Sequence, residues 1–271
     1  MKVISAIACN IGKIRENNED NFYYNGKYLY ENERDIPCFY DGNSKDDLQF
    51  YAVCDGMGGE AHGEEASLIA VEVLSKYHKK LSDRKYHSLD RYMDMYFSEV
   101  NSQISEVRTK YSNFRSGTTI AMVIVEDETI HIVNIGDSRV YKLKNNNLYQ
   151  ISEDHTPAVR AYMLGAITKD EIKTHPHRNK LTQYLGLGPD EFKIVPTRVH
   201  MKARDNDRFL ICSDGVTDMV SDKEIETILR AEDTPKGAVK VLVDRAMQNG
   251  GRDNITAIVL DIKKDKKFLW F

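Results

Sequence analysis

Asp55 opens the segment Asp55-Gly56-Met57-Gly58-Gly59 directly after an apolar run, and Asp214 opens Asp214-Gly215 in the same way. Asp253 lies in Gly250-Gly251-Arg252-Asp253-Asn254 just before another apolar run, and Glu19-Asp20 precedes a short aromatic run at 21–24. Acids of one sign gathered at several strand ends raise one another's pKa and cost stability unless a cation neutralises them. Carboxylates and backbone carbonyls with no His or Cys beside them are hard oxygen donors, suited to Mg²⁺ or Mn²⁺ and not to zinc or copper. Glycine beside each acid lets the backbone turn sharply and lets a carbonyl such as that of Gly56 approach an ion. One Asp-Gly alone is more often a β-turn marker. Several in one chain point to a metal site.

These acids need strands to hold them. Runs rich in β-branched and aromatic residues occur at 3–9, 49–54, 118–125, 129–135, 139–143, 208–212 and 255–262. The short gaps between Val125 and Thr129 and between Leu143 and Leu148 favour antiparallel hairpins. Ala66, Ile69, Ala70, Val73, Leu74 and Tyr77 fall on one helical face, and so do Leu89, Tyr92, Met93, Tyr96, Phe97, Val100, Ile104 and Val107. Stripes at this spacing are core faces packed on a sheet. Shorter helices start at Thr168 and Ser221, each with a Glu three residues on, and at Pro235 after Thr234. The segment 35–47 reads as an extended loop. The pattern predicts an α+β chain: antiparallel sheet with helices on its outer faces.

Composition limits the alternatives. The chain has 271 residues, 41% of them hydrophobic and 30% charged, typical of a soluble globular protein and neither disordered nor fibrous. With no repeat, low-complexity tract or linker, one domain over 1–271 is expected. A net charge of −4 leaves no footprint for nucleic acid, and the basic stretch 263–267 reads as a solvated end. Apolar runs such as 120–125 are too short to cross a bilayer, and the first residues lack a signal peptide's hydrophobic core, so the expected location is cytoplasmic. Four scattered cysteines with no CxxC argue against zinc ribbons, redox motifs and a disulfide framework.

Eight segments stand in the order seen in the metal-dependent PP2C (PPM) protein phosphatases, and the chain resembles their bacterial branch from Arg15 to Leu260. They are Arg15-Glu16-Asn17-Asn18-Glu19-Asp20, Asp55-Gly56-Met57-Gly58-Gly59, Ser116-Gly117-Thr118-Thr119, Gly136-Asp137-Ser138-Arg139, Asp154-His155-Thr156, Leu181-Thr182-Gln183-Tyr184-Leu185-Gly186, Cys212-Ser213-Asp214-Gly215 and Asp253-Asn254-Ile255-Thr256. The resemblance implies a β-sandwich of two antiparallel sheets flanked by helix pairs, four αββα layers, with two metal ions at one end. It implies that Asp55 bridges the ions, that Asp214 and Asp253 complete one and the Gly56 carbonyl serves the other, and that Glu19 and Asp20 hold metal-bound water directly or from behind. Arg15 would grip the substrate phosphate. Asp137 and Asp218 match positions that take a third, weaker ion; Asp137 could equally cap a turn. Residues 154–180 correspond to a flap beside the site.

The implied activity is hydrolysis of phosphoserine and phosphothreonine esters by metal-activated water, on substrates of a serine/threonine kinase, by a monomer. Met57 stands where animal relatives place a histidine, so the general acid is unassigned, and His62 is near only in sequence. Cys54 and Cys212 are the tempting nucleophiles, but apolar neighbours and the lack of a CxxxxxR loop make them buried fillers. His175 and His177 read as a loop pair and not as ligands. Two alternatives remain: a pseudophosphatase that binds without chemistry, and a phosphatase dedicated to one regulatory partner.

Overall fold

The computed structural model describes residues 1–58, 62–83, 88–110, 116–187 and 193–264; Gly59 of the glycine-rich segment and residues 265–267 of the basic end lie outside these. In chain order the strands are β1 (Lys2–Asn10), β2 (Asp20–Tyr24), β3 (Cys38–Ser44), β4 (Leu48–Gly58), β5 (Ser116–Thr118), β6 (Ile120–Glu126), β7 (Thr129–Ile135), β8 (Arg139–Lys144), β9 (Asn147–Gln150), β10 (Thr197–Lys202), β11 (Arg208–Cys212) and β12 (Ile255–Lys263). The helices are α1 (Gly63–Ser82), α2 (Leu89–Lys110), α3 (Pro157–Met163), α4 (Lys169–Ile172), α5 (Asp214–Thr217), α6 (Asp222–Ala231) and α7 (Pro235–Gln248).

Two antiparallel sheets form the centre, one ordered β3-β1-β12-β11-β8-β9 and the other β10-β7-β6-β4-β2 with β5 beside β4. Strands such as β12 and β6 read as continuous apolar runs because both their faces are covered. One core lies between the sheets, with Phe22, Tyr51, Val123, Phe209 and Ile258. A second packs α1 and α2 on the β4–β6 face through Leu74, Tyr96 and Ile104, and a third packs α6 and α7 on the β11–β12 face through Ile225, Val239 and Leu242. This is the expected αββα layering, and the helical stripes are core faces. No helix among the described residues is long and apolar enough to cross a membrane.

The differences from the sequence reading are local. The supposed loop at 35–47 contains β3, an edge strand whose polar Asp41, Gly42 and Asn43 hide it from an apolar-run search. β10 is a second edge strand hidden by Arg198, His200 and Lys202. The run 118–125 is two strands broken at Thr119. Both expected hairpins form, as β6–β7 and β8–β9. The capping signals at Thr168, Ser221 and Thr234 each start a helix.

Phe209 is fully enclosed between the sheets. Replacing it by Ala should lower the unfolding free energy by about 3–5 kcal/mol, read as a lower urea midpoint at unchanged slope. A loss below about 1 kcal/mol would show that this core is not tightly packed.

Candidate active site

Asp55 does not leave its strand as the sequence suggests. β4 runs on to Gly58, and Asp55 stands inside it, directly opposite Asp20 at the start of β2. Opposed residues of an antiparallel pair share a face, with Cβ atoms about 4.5–5.5 Å apart, so strand register alone brings two carboxylates together. The backbone of Asp55 is clamped from the other side. Its N–H donates to Thr119 Oγ1 at 3.0 Å, while Thr119 N and Thr118 Oγ1 donate to its carbonyl at 2.9 and 3.0 Å. Gly56 N donates to Glu19 O at 3.1 Å, and a Cβ on Gly56 would strike the carbonyl oxygens of Gly63 and Glu19. Only glycine fits there.

The other sheet supplies Asp214 at the first position of α5, just after β11, and Asp253 two residues before β12. Asn254 ties this end together: its Oδ1 accepts from Glu19 N at 2.8 Å, and its Nδ2 donates to the carbonyls of Ile11 and Asn17. Asp20 is almost fully buried, and its Oδ2 accepts from Ser213 Oγ and Thr256 Oγ1, each at 2.7 Å. Arg15, half exposed, donates from Nη2 to Asp253 Oδ2 at 2.8 Å.

Burial, and then Asp214, Asp20, Asp137 and Asp253 in turn, pushes the Asp55 carboxyl well above its ordinary range. Asp214 is raised to about 6 by burial and by Asp253 and Asp218. Glu19 reaches about 7, chiefly through burial, with Arg15 pulling down and Glu64 and Asp253 pushing up. Burial and Asp214 likewise raise Asp137, against the pull of Arg139. Each acid thus feels several of the others. Among the described residues no three His, Cys, Asp or Glu side chains form a closed ion cage; the cluster is defined by crowded like charge.

A family model described as protein phosphatase 2C matches residues 38–252. The chain belongs to the protein phosphatase 2C family. A serine/threonine phosphatase (stp) of Listeria welshimeri is 32% identical over 252 residues, covering 92% of each chain. The Mycobacterium tuberculosis serine/threonine phosphatase PstP/Ppp superposes with a TM-score of 0.80 at 29% identity, covering 97% of this chain and 100% of that one. A PstP catalytic domain solved in complex with two manganese ions gives 0.76 at 28% identity, covering 97% and 100%. The activity is accordingly that of a protein serine/threonine phosphatase.

In this phosphatase several family motifs are clamps. Asp154 takes a two-pronged ion pair from Arg139, at 2.6 Å to Nη2 and 2.9 Å to Nε. His155 Nδ1 accepts from Gly136 N at 3.1 Å, and the His155 backbone N–H donates to Gly136 O at 2.9 Å. These bonds fix the turn that carries Asp137. Asp218 is exposed at the end of α5, and Arg178 approaches it to 3.9 Å. His175 accepts from His177 N at 3.1 Å, the expected loop pair. Cys54 and Cys212 are fully buried; burial raises Cys54 and carries Cys212 to about 12, so neither is a ready nucleophile.

Glu64 escaped the sequence reading. It lies in the first turn of α1, raises Glu19, and its Oε2 is shielded with no hydrogen-bond partner among the described residues. The acidic helix start Gly63-Glu64-Glu65 just after the glycine-rich segment was the available signal.

A carboxylate whose pKa is higher folded than unfolded contributes stability that is present below the unfolded value and lost as pH rises through the folded one. Asp214 moves from 3.8 to about 6 and Glu19 from 4.5 to about 7. In chelator, denaturant unfolding should therefore show the protein less stable at pH 7.5 than at pH 5. Equal or greater stability at pH 7.5 would contradict the crowding.

Proposed function

We propose that the acidic cluster is a divalent-metal centre, holding two Mn²⁺ or Mg²⁺ ions and a third at Asp137 and Asp218, and that it hydrolyses phosphoserine and phosphothreonine esters in proteins phosphorylated by a serine/threonine kinase. The observation that carries this reading is the set of buried Asp20 and half-buried Glu19, Asp55 and Asp214, pushed upward by burial and by neighbouring acids, with Arg15 at the rim. A cation relieves that repulsion. The donors are all oxygens, which fits a hard ion, and the manganese-bound PstP domain supports the fit.

Asp55, Asp214, Asp253 and the Gly56 carbonyl would hold the ions directly. Asp20, with one oxygen already taken by two hydroxyls, would act mainly through water, as would Glu19. Bound there, the ions supply charge for the phosphoryl oxygens and a water acidic enough to attack phosphorus at neutral pH. Arg15 orients the phosphate: its guanidinium carries five donors and gives one to Asp253, which aims the fork at the rim. Thr118, Thr119 and Ser138 hold the Asp55 backbone rigid, so little reorganisation is needed during reaction. Residues 1–271 would act as one catalytic unit, with 154–180 as its flap.

Phosphate release from a phosphothreonine peptide should require Mn²⁺ and stop in excess EDTA; turnover that survives chelation would sink the metal centre. Asp214→Asn and Asp253→Asn should each lower the rate by orders of magnitude while the fold persists, and normal kinetics in either would remove that residue from the site. Arg15→Ala should raise KM more than it lowers kcat, because a grip on the ground-state phosphate is uniform binding. A kcat collapse at constant KM would place Arg15 in transition-state stabilisation instead.

A further inference from the structure

Cys9 on β1 and Cys38 at the start of β3 are directly opposed in antiparallel register, and both are free thiols. Opposed residues in such a pair have Cα atoms about 4.5 or 5.5 Å apart, and a disulfide spans about 4.4–6.8 Å. The register therefore puts the pair within the Cα range that a disulfide spans. Cys38 is half-buried on the outermost strand of its sheet, within reach of a small oxidant, whereas Cys9 is 2% exposed. We propose that Cys9 and Cys38 form a reversible disulfide when a peroxide oxidises Cys38, and that this bridge weakens the metal-binding end of the sandwich.

The two thiols have different roles. Their mutual interaction lowers Cys38 and raises Cys9, so Cys38 is the thiolate that attacks and Cys9 the thiol that resolves. Cys38 sulfur attacks one peroxide oxygen, the O–O bond breaks, and the alcohol leaves with a solvent proton, giving a sulfenic acid. Cys9 sulfur then attacks Cys38 sulfur, the S–O bond breaks, and water leaves with the Cys9 proton. Two thiols lose two electrons, which the peroxide takes up as alcohol and water. A dithiol reverses the step.

The link to the active site is short. Thr256, Cys9 and Cys38 lie in line across β12, β1 and β3. Thr256 Oγ1 is 2.7 Å from Asp20 Oδ2 and 3.2 Å from the Cys9 sulfur. The one hydroxyl thus ties the Cys9 sulfur to the Asp20 carboxylate. Asn18 Nδ2 also donates to the Cys9 sulfur at 3.2 Å, and Asn18 Oδ1 accepts from Asp20 N at 3.2 Å. Oxidation draws the Cys9 sulfur toward Cys38, loosening two of the supports of Asp20, Thr256 and Asn18. The effect on turnover rests on the metal reading; the bridge does not.

Alkyl hydroperoxide treatment of the full chain, then non-reducing digestion and mass spectrometry, should yield a Cys9–Cys38 linked peptide that dithiothreitol removes. The Mn²⁺ concentration for half-maximal turnover should rise about tenfold in the oxidised protein, the size expected when support behind a metal ligand is lost. Cys38→Ser should keep reduced wild-type turnover and show neither link nor shift. Sulfinic Cys38 with no linked peptide, or linkage to Cys54 or Cys212, would overturn the pair. A linked peptide with an unchanged Mn²⁺ requirement would overturn the coupling. Loss of Mn²⁺ dependence in the reduced protein would instead mark failure of the metal reading.

Discussion

Like charge forced into a shielded corner is the constraint on which this structure turns. Asp20 and Asp55 are paired by strand register, Asp214 and Asp253 are brought in by the opposite sheet, and neighbouring acids raise Asp20, Asp55 and Asp214 beyond what burial alone does. Such an arrangement weakens the fold wherever it is ionised. It persists because the rest of the sandwich over-determines it. Three cores hold the sheets and helices together regardless of what happens at the end where the acids meet.

Much of the polar chemistry near the site is positional. Thr118, Thr119 and Ser138 fix Asp55; Ser213 and Thr256 fix Asp20; Asn254 fixes the Glu19 backbone. These side chains are uncharged, Ser213 and Thr256 donating to the Asp20 carboxylate and the others holding backbone, so they position the acids without neutralising them. The charge remains available for a cation, which is what a preorganised metal centre requires. Arg139 and Asp154 do the same for the turn carrying Asp137, but as a neutralised pair that leaves Asp137 its own charge.

The acids were legible in the sequence because each sits next to a glycine or a strand end, and the layering was legible because covered strands are continuously apolar. What hid was polar or long-range. β3 and β10 are edge strands with little apolar content to betray them. The opposition of Asp20 to Asp55 depends on register between β2 and β4, which no local spacing encodes. Glu64 could not be placed because its neighbour, Glu19, is distant in the chain. The extension of β4 through Asp55 was masked by the glycines after it, which look like a turn and instead allow close backbone approach.

In the proposed metal centre, repulsion among these carboxylates is tolerated for the sake of a bound cation. The most direct test compares melting temperatures of the wild type and Asp55→Asn at pH 7.5, in chelator and in Mn²⁺. Removing one crowded charge should make the variant melt higher than wild type in chelator, whereas Mn²⁺ should raise the wild type and leave the variant nearly unmoved. A variant that melts lower than wild type in chelator, together with a wild type indifferent to Mn²⁺, would contradict the account.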